Sequence, residues 1–333
     1  MEENTLDYSA LQIAHFRQIT DAQDAFINTF FTGQYGHAYL VSGDKGCGKK
    51  QLCLLLTAHL LGSAEDSVDL LRVSMERVNA ELGSKNTASI GVAAVKRMIV
   101  PFISAMSMFQ NPRVVLIEQA DLLTEQAQNA LLKSLEEPVS KAVFFLITED
   151  LSKIITTIKS RCQKVYIHRW PRERVREYLA GIHVAEEKAE QIAAASNGLI
   201  EEALYFVHHE AELSAQDAIL QKLLHIQSLT DIIIFASEHA KMDAQSQDDI
   251  LNRFEALAEQ AMQRAAGRSL ESCGELSAQW EQAVRAHRTE SFLRIIKHIM
   301  HARRMKNNQM NWQACLDYML ANILEEINKW QSS

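Results

Sequence analysis

Gly43-Asp44-Lys45-Gly46-Cys47-Gly48-Lys49-Lys50 is the stretch on which the fold of this chain turns. It matches the phosphate-cradling pattern G-x-x-x-x-G-K and then carries Lys50 where Ser or Thr completes the pattern. His37 to Ser42 before it is a short apolar run suited to a buried parallel strand, and Gln51 to Leu61 after it continues as an apolar helix. The order is therefore strand, glycine turn, helix. Such a turn presents backbone N–H groups and the positive end of the helix dipole to an anion, and Lys49 reaches the outer phosphates. Lys50 cannot donate the oxygen that a hard divalent cation requires. Gly43, Gly46, Gly48, Lys49 and Lys50 are candidate phosphate contacts without a metal ligand, and a glycine turn that holds no ligand is the competing reading.

The second half of the site follows Arg113-Val114-Val115-Leu116-Ile117, a continuous apolar run ending in Glu118-Gln119-Ala120-Asp121. In a working phosphoryl-transfer site of this type the first acidic residue holds the metal and the next orients or activates the attacking water. Glu118 can still bind a cation, but Gln119 cannot accept a proton at any ordinary pH. Val143 to Ile147 reads as a further buried strand with Thr148 at its end, either a polar group facing the terminal phosphate or a common turn residue. Between them, Ala127, Ala130, Leu131, Ser134 and Leu135 recur at helical spacing, with Thr124 as N-cap and Pro138 as the stop. Glu125, Asn129, Lys133 and Glu136 fall on the exposed face and are interface candidates.

Residues 120–138, ADLLTEQAQNALLKSLEEP, together with TTIKSRCQ at 156–163, GHAYL at 36–40 and FFLITED at 144–150, resemble the AAA+ subunits of bacterial DNA polymerase III clamp loaders in order over roughly residues 30–170. The resemblance implies an α/β AAA+ P-loop domain with a parallel sheet over residues 1–168, a small helical lid over 169–210 and an all-α collar domain over 211–333. Within that family the degenerate site is similar to the delta-prime type rather than the ATP-hydrolysing gamma/tau type. It implies partners among gamma/tau and delta subunits, with the sliding clamp and primed DNA reached through the complex. The arginine of Ser160-Arg161-Cys162 is implied as a trans-acting finger that projects into a neighbour's nucleotide site, where a guanidinium stabilises charge on the transferred phosphoryl group. Pairing of Arg161 with a local carboxylate is the alternative. In Ser196-Asn197-Gly198-Leu199-Ile200-Glu201, the lid position at which relatives place an arginine holds Glu201, which repels phosphate. A gamma/tau-like ATPase, or an AAA+ regulator outside replication, would also accommodate the fold.

Composition fits this outline. The 333 residues allow two or three compact units, and Pro101, Pro112, Pro138 and Pro171 all precede a tail that is helical in pattern. Arg169-Trp170-Pro171 is the expected boundary, with Pro171 opening a helix. Amphipathic stretches at Ala218–His225, Ile250–Met262, Phe292–Ile299 and Cys315–Ile327 suit a helical bundle. A net charge of -8 argues against a dominant DNA-gripping surface, and the basic run His301 to Lys306 reads as a solvated helix end. The five cysteines, at 47, 53, 162, 273 and 315, have no paired C-x-x-C spacing and read as reduced cytoplasmic thiols. The zinc module carried between the two nucleotide motifs by many members of the resembled family has no counterpart here. The expectation is no required cofactor, no zinc, weak binding of ATP or ADP at most, and no membrane segment.

Overall fold

The computed structural model describes residues 8–62, 67–83, 88–105, 112–136, 141–267 and 276–331. The chain divides into two compact units, Met1–Glu186 with Gly198–Tyr205, and Glu187–Asn197 with Phe206–Ser333. The expected lid region supplies the helices Arg172–Gly181, Glu186–Ala195 and Ile200–His208, which are apportioned between the two. The reading of Pro138 as a helix stop lies outside the described residues, as does Cys273.

The first unit is built on a five-stranded parallel sheet of β1 (Ala38–Gly43), β2 (Leu70–Val73), β3 (Arg113–Ile117), β4 (Ala142–Thr148) and β5 (Gln163–Ile167), in the order β2-β3-β4-β1-β5. β1, β3 and β4 are buried along their whole length, which is why they read as unbroken apolar runs rather than alternating ones. One face is filled by aromatic rings. Phe30 from the helix Asp21–Phe31 lies 5.4 Å from Tyr39 and 5.7 Å from Phe145, ring centre to ring centre. On the other face the central helix, Glu125–Glu136, buries Ala127, Leu131 and Leu135 against Val115, Phe144 and Leu146. Thr124 caps it, its Oγ1 accepting from the Ala127 amide at 3.2 Å. Because all strands run the same way, Gly43, Glu118 and Thr148 emerge at one edge of the sheet, where open α/β sheets hold their ligands.

In the second unit the helices Glu210–Leu224, Leu229–Glu238, Ala244–Ala265, Ala278–Arg285, Thr289–Asn307 and Trp312–Gln331 enclose a separate core. Its centre is aromatic, with Trp280 5.5 Å from Phe292 and Phe292 5.5 Å from Trp330. Two cations of the basic run at 301–306 pair within this bundle, while His301 and Arg304 are exposed. Arg303 bonds Asn252 and Glu255, and Lys306 reaches Asp248 at 2.5 Å, so both tie Thr289–Asn307 to Ala244–Ala265. Leu229, Ile233 and Ile234 on Leu229–Glu238 are left 66, 64 and 51% exposed. Among the described residues, no helix is long and apolar enough to cross a membrane.

Candidate nucleotide site and the Arg161 helix

The glycine turn takes the backbone geometry of a phosphate loop. Gly48 lies in the left-handed region at φ 88° and caps the following helix, Lys49–Leu61. A Cβ on Gly48 would come within 2.9 Å of the Phe16 ring and 3.0 Å of an Ile200 methyl, and one on Gly43 within 2.3 Å of the Ile167 carbonyl oxygen. The loop is thus packed on both sides by protein. Lys49 is buried, and its Nζ donates to the carbonyl oxygen of Asp44 at 2.6 Å. Asp44 in turn holds Arg169 through Oδ2 at 2.6 Å.

Lys50 and Glu118 meet across the site. Lys50 Nζ lies 3.0 Å from Glu118 Oε2, and Arg72 Nε donates to the other oxygen, Oε1, at 2.8 Å. The Glu118 side chain is only 9% exposed, so both oxygens of a nearly buried carboxylate are taken by side-chain cations. Gln119 beside it is exposed, and its carbonyl accepts from the Leu122 amide at 3.0 Å to open a short 3-10 turn. Thr148 pairs with Ser42 across β4 and β1 and is buried, but its Oγ1 accepts from the Asp150 amide at 3.1 Å. That hydroxyl is engaged in its own turn.

Glu201 stands over the loop. Its amide donates to the Gly46 carbonyl at 3.0 Å, and burial pushes its carboxyl above the usual carboxylate range against the pull of Lys49 and Lys50. The Tyr8 phenol is pushed up too, first by burial and then by the Glu201 charge. A raised folded-state pKa means that the native protein holds this proton more tightly than the unfolded chain. The penalty is absent below the unfolded value, about pH 4.3 for glutamate, and is complete above the folded one. Glu201→Gln should therefore raise the thermal midpoint at pH 7 to 8, with the gain fading on acidification through this window. Midpoints differing equally at pH 4 and pH 8 would contradict the assignment.

Arg161 lies away from this edge, at the C-terminus of the helix Thr156–Arg161. It donates to the Thr157 carbonyl at 3.0 Å and pairs with Glu136 on the central helix, so the local carboxylate foreseen as the alternative is present. The guanidinium side chain is still 34% exposed. Gln128, which helical spacing does not single out, positions this helix. Its amide nitrogen donates to Leu123 and Lys153 carbonyls at 3.1 and 2.9 Å, and its oxygen accepts from the Ile155 amide at 2.9 Å. Arg72 was also missed; its signal is a charge inside the apolar run Leu70–Val73.

Burial pushes the Cys47 and Cys162 thiols up to about 11, so both stay protonated. Among the described residues, no group of three or more His, Cys, Asp or Glu is placed to hold a metal ion.

Residues 19–170 match the family described as DNA polymerase III, delta subunit. This stretch is similar to clamp-loader subunits of DNA polymerase III. Among curated relatives, subunit delta' of Bacillus subtilis is 27% identical over 66% of this chain and 66% of its own length. Subunit delta' of Haemophilus influenzae is 33% identical over 40% of this chain and 43% of its own length, and subunit gamma of Buchnera aphidicola from Schizaphis graminum is 29% identical over 59 and 58%. Each match spans no more than two thirds of the relative. Delta' and gamma subunits are matched at similar identity, so the subunit type rests on the site residues.

Proposed function

We propose that this chain is a non-hydrolysing, delta-prime-like subunit of the DNA polymerase III clamp loader, and that it supplies Arg161 to the nucleotide site of a neighbouring ATPase subunit. The observation that carries the first half is the occupation of Glu118 by Lys50 and Arg72. With Gln119 next to it, the strand end offers neither a free metal-binding carboxylate nor a general base. Glu201 adds a negative charge over the loop where phosphate would need a positive one. A gamma/tau-like ATPase shares the fold but needs a hydroxyl at 50 and a base at 119.

The proposed partners are gamma/tau and delta subunits, with the sliding clamp and primed DNA engaged through the assembly. The exposed apolar side chains Leu229, Ile233 and Ile234 favour the helical second unit as the part that joins a neighbouring subunit.

The isolated protein is expected to show no magnesium-dependent ATP turnover above background, since loss of a general base alone removes roughly a hundred- to ten-thousandfold of rate. Steady-state hydrolysis that follows the purified chain and vanishes in Lys49→Ala would overturn this reading.

A further inference from the structure

A P-loop fold implies a magnesium nucleotide, and the residues here do not fit the ion. Mg²⁺ in such a site draws on a hydroxyl at the position of Lys50 and a carboxylate at the end of the second strand, in near-ideal octahedral oxygen geometry. This chain offers an ammonium 3.0 Å from Glu118 Oε2 and a guanidinium 2.8 Å from Oε1. A divalent ion would be a third cation on a carboxylate with no free oxygen.

We propose that Lys50, with Arg72, is a resident substitute for the divalent metal. The Lys50–Glu118–Arg72 bridge then cross-links the phosphate loop in the way that ligand and metal do in an occupied site. Lys50 is the second residue of the helix that follows β1, Glu118 follows β3, and Arg72 lies on β2 at the far edge of the sheet. The bridge therefore spans the ligand-binding edge: Arg72–Glu118 reinforces the paired β2 and β3, and Lys50–Glu118 ties the helix after β1 to the end of β3, two strands that β4 separates. Lys49 is likewise satisfied by protein, through the Asp44 carbonyl. The first unit is held from within, and its stability is independent of magnesium and nucleotide. This inference rests on the non-hydrolysing reading and adds the group that replaces the ion.

The test is the thermal midpoint of the full chain in wild-type form, Lys50→Met and Lys50→Arg, each with EDTA, with Mg²⁺, and with Mg²⁺ and ADP. Lys50→Met keeps the stem and loses the charge, and its midpoint should fall by about 2–4 °C. Lys50→Arg keeps the charge and should stay at the wild-type value. The wild-type midpoint should be the same in all three solutions. A wild-type rise with Mg²⁺ and ADP that EDTA abolishes overturns the proposal, as does a Lys50→Met midpoint equal to wild type. Should Lys50→Met fail to fold, the wild-type and Lys50→Arg measurements still decide the matter. ATP turnover is a separate readout: its appearance would sink the non-hydrolysing reading, whereas a Lys50→Met midpoint equal to that of wild type would sink only the bridge.

Discussion

In a loader reconstituted with its partner subunits, Arg161→Ala is expected to fold and assemble like wild type and to hydrolyse ATP more slowly. A trans-acting arginine is worth roughly a thousandfold or more at the site it serves. The loss should therefore remove that one site's share of turnover while other sites continue. The cost to the chain itself is small. Arg161 pairs with the exposed Glu136 and bonds a carbonyl and the Ser160 hydroxyl of its own helix, and such surface pairs contribute about 0–1 kcal/mol. Lys should not rescue it, because an ammonium lacks the planar fork. Glu136→Gln serves as the control: it breaks the local pair, leaves the guanidinium present, and should keep turnover at or above wild type. Unchanged clamp-dependent ATPase in Arg161→Ala would leave Arg161 as nothing more than the partner of Glu136.

The second large effect is expected from the helical unit. A chain ending at residue 210 should no longer co-purify with the ATPase and delta subunits, because the surface that joins them is proposed to lie beyond that point. A gentler variant keeps the bundle. Leu229→Asp with Ile233→Asp alters side chains that are 66 and 64% exposed, so their loss opens no cavity in the core of Ile232, Phe235 and Ala236. If these residues are anchors in an interface, affinity should drop about thirtyfold or more, the scale of a hot spot of roughly 2 kcal/mol. Equal affinity of the shortened and the complete chain would refute the assembly role. Equal affinity of the double variant would move the contact to another face.

The sheet was legible where burial on both faces leaves a simple signal. His37 to Ser42, Arg113 to Ile117 and Val143 to Ile147 are unbroken apolar runs, and they form β1, β3 and β4. The edge strands were harder. β5 exposes Gln163, Lys164 and Tyr166, and β2 is four residues long with Arg72 inside it. At the site, the unusual residues at 50 and 119 were visible from pattern alone, because a motif specifies which chemistry belongs at each position. Their arrangement was not. The contact between Lys50 and Glu118 spans 68 positions, and Arg72 joins only through the parallel register that sets it opposite Leu116. Exposure on the central helix was foreseen for Glu125, Asn129, Lys133 and Glu136, yet Gln128 was overlooked because its importance lies in distant backbone groups.

That glutamine bears on how an arginine finger would be aimed. Two hydrogen bonds from a single buried amide fasten the central helix to the turn at 153–155 from which Thr156–Arg161 departs, and a third holds the Leu123 carbonyl. Cutting them would strand buried donors and acceptors at a cost of about 1–3 kcal/mol each. The Arg161 helix is consequently bolted to the sheet domain and is not a swinging arm. Its reach toward any neighbour is set by how whole modules are steered against each other, as the barrel of a gun is aimed by turning its mount. A change in the angle between adjacent subunits would then advance or withdraw the guanidinium without any local rearrangement around it.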